Sequence, residues 1–349
     1  MPWDSSWYAQ IAASGYTFDG NLMRQQPVAF LPLYPMMIRA VHALGFSNPV
    51  AELVVCMSSA AGGMALLYRA LSFRLDAIWS AVACALMMAS PFSIYFLNGY
   101  SEALYLLFFG AFWWALLRRR SFSLAAGFAG LAGAVRPFGL ILAVVWAFAV
   151  LLDAYRGHLT RRRALAILLA YSPLAIAGFI AVSLFYYVEF GDLFLYRNAM
   201  LAWSRDLVQG VSSNPIGQLP AHIYALFHAD IRALLVFPPA FARVPLWSFV
   251  LLLPFAARRL PVEITLYGAG LLLFCVMVTA TGLDLGRHLA TNIALPLAVL
   301  ALIWPIHDLS AQRTRLGVVR KAFVALLFFS GLIIQALLSM RYFHGDWVS

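Results

Sequence analysis

Residues 122–152 have the sequence FSLAAGFAGLAGAVRPFGLILAVVWAFAVLL, in which Arg136 is the single charged residue. This apolar run is longer than the ~20 residues that cross a bilayer as one helix. Arg136 and Pro137 interrupt the run near its middle, and a proline breaks or kinks a helix that it enters. The run therefore predicts two short membrane helices, 122–135 and 137–152, that meet at Arg136.

The rest of the chain is as apolar as this run. Of its 349 residues, 63% are hydrophobic and 11% are charged, against ~45–50% and ~25% in soluble domains. This composition excludes a soluble enzyme, a coiled coil and a disordered protein. Apolar runs near 20 residues are typical of helices, because barrel strands alternate over ~10 residues. We predict a single all-α polytopic membrane domain, 1–349, with about ten spans near 50–70, 77–97, 101–117, 122–135, 137–152, 164–188, 232–257, 263–281, 288–306 and 322–340.

Basic residues set the predicted orientation. The arginine clusters 118–120 and 161–163 flank the two short helices, and positive loops stay in the cytoplasm. The net charge of +10 is then explained by loop anchors, and we predict no binding of nucleic acid. The alternation of spans places residues 1–27, the long loop 189–231 and the C-terminal tail on the extracytoplasmic side. The segment 28–44 is short and contains Pro32 and Pro35, so it is expected to be interfacial or re-entrant.

The N-terminal segment carries the most distinctive cluster of side chains. Trp3, Trp7 and Ile11 recur every four residues and predict one face of a short helix, with Asp4 and Tyr8 beside it. Tryptophan and tyrosine favour the membrane interface. One interpretation is an interfacial anchor with a solvated Asp4 at its start. The other is a catalytic helix, because a partly buried carboxylate can act as general base toward an incoming hydroxyl, as transfer of a lipid-linked sugar requires.

Other polar residues at membrane depth are further candidates, each with a structural alternative. Arg136 can bind a lipid-linked phosphate, or it can reach the interface or pair with Glu102. Glu102 can contact a sugar hydroxyl, or it can serve as an acid in the first turn of a helix. Arg287 and His288 begin a predicted span and can bind phosphate or anchor the interface. Arg197 and Arg205 lie in the long loop and are weaker candidates.

The remaining unusual residues favour packing or simple charge. Cys56, Cys84 and Cys275 lie inside apolar runs, so we expect packing residues rather than a disulfide or a metal site. Gly62 and Gly63 predict close helix packing. Asp153 and Glu263 are expected to be plain charges at the cytoplasmic ends of helices.

Several motifs together resemble a known family. They are WDSSWYAQIAASGY at 3–16, AFLPLYP at 29–35, YSEAL at 100–104, the stretch from Ala126-Gly127 to RPFGL at 136–140, FGD at 190–192, Trp203-x-Arg205, and Gly286-Arg287 before a helix with Pro296. This ordered set resembles the GPI mannosyltransferase 2 family, in particular its bacterial relatives, within the GT-C superfamily of membrane glycosyltransferases.

The resemblance implies a GT-C-type helical bundle that transfers mannose, with inversion, from a polyprenyl-phosphate donor to a lipid or glycan acceptor. It places the catalytic carboxylate in an extracytoplasmic first loop, at Asp4, and implies no metal and no cofactor. Trp3, Trp7, Tyr8, Glu102, Arg136, Arg197, Arg205, Arg287 and His288 are then the expected substrate-binding residues. It also implies a bacterial plasma-membrane protein with its active site facing outward.

The sequence departs from the family pattern at two places. Family members carry a membrane helix before the Trp-Asp motif, whereas Met1 and Pro2 alone precede it here, so we expect the start of the chain to lie upstream or the chain to be a fragment. His288 stands where the family leads us to expect an aromatic residue. Two alternatives to a transferase therefore stay open: a transporter of lipid or glycolipid, and a non-catalytic scaffold in a membrane glycosylation complex.

Overall fold

The structure is a computed structural model that describes residues 4–73, 75–203, 257–278, 288–303 and 315–343, with some positions between 248 and 254. The regular elements in these ranges are helical. They are α1 (Asp4–Ser14), α2 (Leu33–His42), α3 (Asn48–Leu71), α4 (Ala77–Met88), α5 (Glu102–Trp113), α6 (Phe122–Val135), α7 (Gly139–Tyr155), α8 (Arg161–Phe190), α9 (Leu195–Ala199), α10 (Val262–Val278), α11 (Ala294–Ile303) and α12 (Arg315–Phe343). Short 3₁₀ turns cover Pro27–Ala29, Pro91–Phe96 and Met200–Trp203, and a π turn covers Trp114–Arg118.

Three of the described helices are long and apolar enough to cross a membrane: α3, α8 and the part of α12 from Lys321 to Met340. The predicted all-helical architecture with helices able to span a membrane is thus confirmed in the described residues, whereas the number of about ten spans and the arrangement of the loops stay predictions. Most of the predicted span 232–257 and most of the loop 189–231 lie outside the described residues.

The predicted division of residues 122–152 into two helices that meet near Arg136 is confirmed. Ser121 begins α6 by accepting a hydrogen bond from the backbone N–H of Leu124, and α6 ends at Val135. Arg136 is in an extended conformation, and α7 begins at Gly139. Pro137 has no N–H to continue the helix, which is why the two helices separate at this position.

Two of the other spans differ from the prediction. The segment 77–97 is not one helix: α4 ends at Met88, and Pro91 begins a 3₁₀ turn. The predicted helix at 288–306 begins only at Ala294. The apolar pattern continues through these positions, so hydropathy does not mark where the helices end. The short segment 28–44 contains only the turn at Pro27–Ala29 and α2, which tolerates Pro35 in its first turn.

The chain divides into two compact units, Met1–Phe73 with Tyr95–Ser213, and Arg74–Ile94 with Asn214–Ser349. In the first unit α3 packs on α5, and α6 packs on α5, α7 and α8. In the second unit α11 contacts α4 and α10, and α12 contacts α4. The prediction of a single domain stays a prediction.

Glycines bring the backbones of the first unit close together. A Cβ atom at Gly63 of α3 would collide with the backbone of Leu106 on α5, and a Cβ at Gly110 would collide with Gly63. Likewise, a Cβ atom at Gly178 of α8 would collide with the backbone of Gly130 on α6. The predicted close packing at Gly63 is therefore confirmed, and it places α5 and α6 side by side between α3 and α8.

The helices of the first unit share two ends. At one end Arg118 lies 5.9 Å from the Phe73 ring after α3, and the Trp146 indole of α7 donates to the Phe122 carbonyl of α6 at 2.8 Å. We call this the basic end, because residues 118–120 and 161–163 are arginines. The opposite end contains α1, α2 and the break at Arg136, and we call it the polar end.

Candidate active site

Helix α1 brings Asp4, Trp7 and Tyr8 to the polar end. The predicted short helix is confirmed, and Asp4 lies in its first turn with its side chain partly buried. Residues four apart share one face of a helix, so Tyr8 lies one turn from Asp4 on the same face. Tyr8 is buried, because α1 packs on α2 and α3.

A buried hydrogen-bond network connects Tyr8 to the break between α6 and α7. The Tyr8 hydroxyl lies 2.8 Å from Ser101 Oγ, so that one hydroxyl donates to the other. Arg136 Nη1 donates to Ser101 Oγ at 3.2 Å and to Glu102 Oε1 at 2.7 Å. Side chains from α1, α5 and the α6–α7 break thus meet at one point. The pairing of Arg136 with Glu102, one of the alternatives considered above, is present.

The local sequence explains why Arg136 reaches this network. The N–H of Arg136 closes the last turn of α6 on the carbonyl of Ala132, and the extended conformation then turns the chain away from the α6 axis. Gly139 allows α7 to start against α6, since a Cβ there would collide with Ala132 and Gly133. The guanidinium carbon of Arg136 also lies 5.0 Å from the centroid of the Phe138 ring, a cation–π contact.

Ser101 precedes α5 but does not cap it through its side chain. A serine at this position commonly accepts a hydrogen bond from the first turn of the helix. Here its hydroxyl is engaged by Tyr8 and Arg136 instead. Glu102 follows in the first turn of α5 and is buried, so Ser101 and Glu102 both contribute their side chains to the network.

Aromatic rings enclose the network on the α1 side. Trp7 stacks on Phe30 with ring centroids 5.9 Å apart, and Tyr8 meets the edges of Phe30 and Tyr34 at 5.2 and 4.9 Å. Offset and edge contacts of this kind add to the stability that area burial supplies. The aromatic surroundings predicted for this segment are therefore present around Trp7 and Tyr8.

The backbone carbonyl of Phe30 connects this aromatic cluster to α8. Its carbonyl oxygen accepts hydrogen bonds from the Tyr16 hydroxyl at 2.7 Å and the Tyr186 hydroxyl at 2.9 Å. Burial raises the pKa of Tyr16, so this phenol keeps its proton and acts as a donor. The loop after α1, the segment before α2 and the end of α8 are thereby joined at one carbonyl group.

Sequence reasoning missed one buried acid at this end. Glu52 lies near the start of α3 with 2% of its surface exposed, and its Oε1 has no hydrogen-bond partner among the residues that the structure describes. Its signal was present in the sequence, because Glu52 is an acid inside the predicted span 50–70. An ionisable residue within a membrane helix marks a functional site by default.

The other predicted site residues lie outside this network. Arg197 is exposed on the short helix α9, which packs on the Pro27–Ala29 turn. His288 belongs to the second unit, where its ring meets the edge of Phe274 at 6.0 Å. Trp3, Arg205 and Arg287 lie outside the described residues. In the described parts of the chain, no cluster of three or more His, Cys, Asp or Glu residues is placed to hold a metal.

A comparison with protein families matches residues 1–206 to the family described as Mannosyltransferase (PIG-V), which covers more than half of the chain. The matched range contains Asp4 and the whole network, from Tyr8 to Arg136. The match confirms the resemblance based on the Trp-Asp motif and its ordered companions. Neither a curated protein nor a solved structure matches the chain.

Proposed function

The chain belongs to the mannosyltransferase (PIG-V) family, and from this premise we propose that it moves mannose from a polyprenyl-phosphate donor to an extracytoplasmic lipid or glycan acceptor. Membership makes the protein a glycosyltransferase with helices able to span a membrane. The donor, the inverting course, the outward-facing site and the bacterial plasma membrane are parts of the proposal.

The network between α1 and the α6–α7 break is the observation that supports this function best. Tyr8, one helical turn from Asp4, bonds to Ser101, which also accepts a bond from Arg136. A carboxylate suited to take a proton thus lies one helical turn from a tyrosine whose hydroxyl is connected through Ser101 to a cation suited to bind phosphate. A sugar phosphate in the outer half of the bilayer needs both groups close to its reacting carbon.

The proposed reaction is a single displacement at the anomeric carbon of mannose. The acceptor hydroxyl oxygen forms the new bond to this carbon, and its proton passes to the Asp4 carboxylate. The bond between the anomeric carbon and the donor phosphate breaks, and the phosphate oxygen keeps the electron pair. Attack opposite to the leaving group inverts the configuration, and a general base contributes ~10²–10⁴-fold to such a step.

Arg136 is proposed to stabilise the phosphate that leaves. A guanidinium presents five donors in a planar fork, which matches phosphate oxygens better than an ammonium group does. Glu102 orients this fork through its bond to Nη1. The donor phosphate would replace Glu102 or bind beside it, and Arg287 stays a proposed phosphate-binding residue.

Family membership also decides between the alternatives. A transporter or a scaffold has no need for a base beside a phosphate-binding cation, and the family is one of transferases. We therefore favour the transferase, and Trp3, Trp7, Tyr8, Arg197, Arg205 and His288 stay proposed substrate-binding residues.

Replacement of Asp4 tests the proposal most directly. Asp4→Asn keeps the size of the side chain but cannot take the proton. We expect donor consumption to fall by about 10²–10⁴-fold, measured as release of polyprenyl phosphate from radiolabelled polyprenyl-phosphate mannose in native membranes that contain the acceptor. Binding of the donor should persist, because the phosphate contacts lie elsewhere.

Asp19→Asn is the matched control, because it makes the same chemical change in the same predicted loop at a more exposed site. It should retain activity within a few-fold of the wild type. If Asp4→Asn is equally active, Asp4 only begins helix α1 and the proposed base is wrong.

The proposed outward face can be tested with single cysteines at the two ends of the first unit. Ser14 at the end of α1 and Tyr155 at the end of α7 are both exposed. A membrane-impermeant maleimide applied to intact cells should label Ser14→Cys, whereas Tyr155→Cys should react only after the membrane is opened. The opposite pattern would reverse the orientation.

A further inference from the structure

A cavity at the basic end plays no part in the proposed reaction. Its volume is about 380 Å³, and its lining consists of Arg120, Phe122, Asp153, His158, Leu159, Arg163 and Ile167. These residues come from the ends of α6, α7 and α8, all within the first unit. The volume lies in the range of ~300–1,000 Å³ that small-molecule sites occupy.

Asp153 organises one side of the cavity. It was expected to be a plain charge at a helix end, but it is buried and accepts hydrogen bonds from two cavity residues. Arg120 Nη2 donates to Oδ2 at 2.5 Å, and His158 Nδ1 lies 3.4 Å from Oδ1. The carboxylate therefore positions Arg120 and His158 at the cavity wall. The expectation failed because the position of Asp153 near the end of a helix does not reveal its burial.

The path of the chain also directs Arg120 toward the cavity. After the π turn Trp114–Arg118, the N–H of Arg119 bonds back to the carbonyl of Trp114. Arg120 then adopts a left-handed backbone conformation with φ of 48°, which non-glycine residues seldom adopt. This conformation reverses the chain between α5 and α6 and leaves the Arg120 side chain at Asp153.

Arg163 supplies positive charge that Asp153 does not neutralise. It lies in the first turn of α8, which Thr160 begins by accepting from the N–H of Arg163. A helix N-terminus carries partial positive charge, so an arginine there is unfavourable unless an anion is close. In the described parts of the chain, the Arg163 guanidinium makes no hydrogen bond and no ion pair. The electrostatics of the cavity thus favour a negatively charged ligand.

The apolar part of the cavity lining indicates which kind of anion fits the site. Phe122, Leu159 and Ile167 form the rest of the lining. Leu174 lies seven residues after Ile167 on the same face of α8, and its side chain, 42% exposed, continues the apolar surface along the helix. A ligand that fills the site would therefore combine a phosphate with a hydrocarbon part that extends along α8.

We propose that this cavity binds the phosphate of an anionic membrane phospholipid, with Arg163 and Arg120 as its cationic contacts and Ile167 beside the start of an acyl chain. Basic pockets between membrane helices on the cytoplasmic side suit such head groups. The basic end is the side that the arginine clusters predict to be cytoplasmic. This site is separate from the proposed reaction, so the two proposals stand or fall independently.

Lipid-dependent thermal stability of the detergent-solubilised protein tests the proposal. The probes are dioleoylphosphatidylglycerol, dioleoylphosphatidylcholine and inorganic phosphate at matched concentrations. For the wild type we expect the Tm to rise with the glycerol lipid and to rise much less with the choline lipid or with phosphate. Arg163→Gln should lose at least half of that rise.

Arg162→Gln is the matched control, since it removes the same charge from the same helical turn without touching the cavity lining. It should keep the full rise with the glycerol lipid. If Arg163→Gln does not fold, Arg120→Gln tests the opposite wall with the same expected loss. Equal rises in Arg162→Gln and the cavity variants would overturn the proposal in favour of general surface charge. A full rise with inorganic phosphate would overturn it in favour of a small-anion site.

Discussion

Each end of the first unit contains an arginine–carboxylate pair at nearly the same distance, yet the surroundings of the two pairs differ. Arg136 and Glu102 lie 2.7 Å apart, with side chains 9% and 1% exposed. Arg120 and Asp153 lie 2.5 Å apart, with side chains 45% and 12% exposed. Distance therefore does not decide how much such a pair contributes to the stability of the folded protein. Burial decides this contribution. A buried charge is not solvated by water, so the loss of its partner is strongly destabilising.

A third pair extends this comparison to a still more exposed site. Arg24 and Asp19 lie 2.8 Å apart in the loop after α1, with side chains 71% and 43% exposed. The three pairs share one chemistry, have contact distances of 2.5–2.8 Å and differ in exposure. They form an internal series in which the cost of breaking a pair should fall as its exposure rises.

The largest effect is expected at Arg136. Arg136→Met leaves Glu102 buried without this cation, and the free energy of unfolding should fall by about 3–5 kcal/mol. The double variant Arg136→Met, Glu102→Leu removes both charges and should recover most of that loss, because apolar replacement of a buried pair is often neutral. Unfolding in detergent micelles measures both changes.

Activity measurements separate the structural role of Arg136, as partner of Glu102, from its proposed role in binding the donor phosphate. If it binds the donor phosphate as proposed, the double variant should stay inactive although it is stable. Arg136→Lys should retain part of the activity, because it keeps the charge without the fork. If the single and double variants unfold alike, burial does not explain the difference between the two ends.

A smaller effect is expected at the basic end. A double-mutant cycle with Arg120→Gln and Asp153→Asn should give a coupling energy of about 0–1 kcal/mol, as for pairs that water reaches. Raising the salt concentration should reduce this coupling, because mobile ions screen exposed charges. A coupling as large as that of Arg136 and Glu102 would show that exposure does not rank these pairs.

The smallest effect is expected at Asp19. The hydrogen bond from the Asn21 backbone N–H lowers the pKa of the Asp19 carboxyl, with further help from Gln26 and Arg24. A lowered pKa in the folded state stabilises the protein above the unfolded value of about 3.9, and this gain is lost as the pH falls through the folded value.

The midpoint of unfolding of Asp19→Asn should therefore lie slightly below that of the wild type at neutral pH. The difference should shrink as the pH falls below about 4 and vanish below the lowered pKa of Asp19, where the carboxyl is protonated in the folded and the unfolded state. A difference that grows on acidification would contradict the assigned sign.

The sequence predicts the ends of helices best where a neighbouring residue, such as a proline, stops the helix. Arg136 and Pro137 mark the end of α6, and the bounds of α6 agree with the prediction to the residue. The end of α4 was missed, because the apolar pattern runs through Pro91 to Phe96. A hydropathy pattern reports which residues avoid water and does not report where a backbone stops being helical.

The sequence predicts individual residues of the candidate site, but it does not predict how they are arranged in space. Tyr8, Glu102 and Arg136 stand out in the sequence as polar or aromatic residues in apolar surroundings. Their meeting at Ser101 depends on how α1, α5 and α6 pack, which no local pattern contains. The bond from Tyr186 to the Phe30 carbonyl joins residues 156 positions apart and is equally invisible in the sequence.

The contact between Gly63 and Gly110 has an electrical consequence. A rise of 1.5 Å per residue places Gly110 about 12 Å along α5 from Glu102. The two backbones approach so closely there that a methyl group does not fit between them, and neither does a water molecule. A file of waters cannot pass along this seam between α3 and α5. Ions and protons that travel through water therefore cannot cross the first unit at this contact.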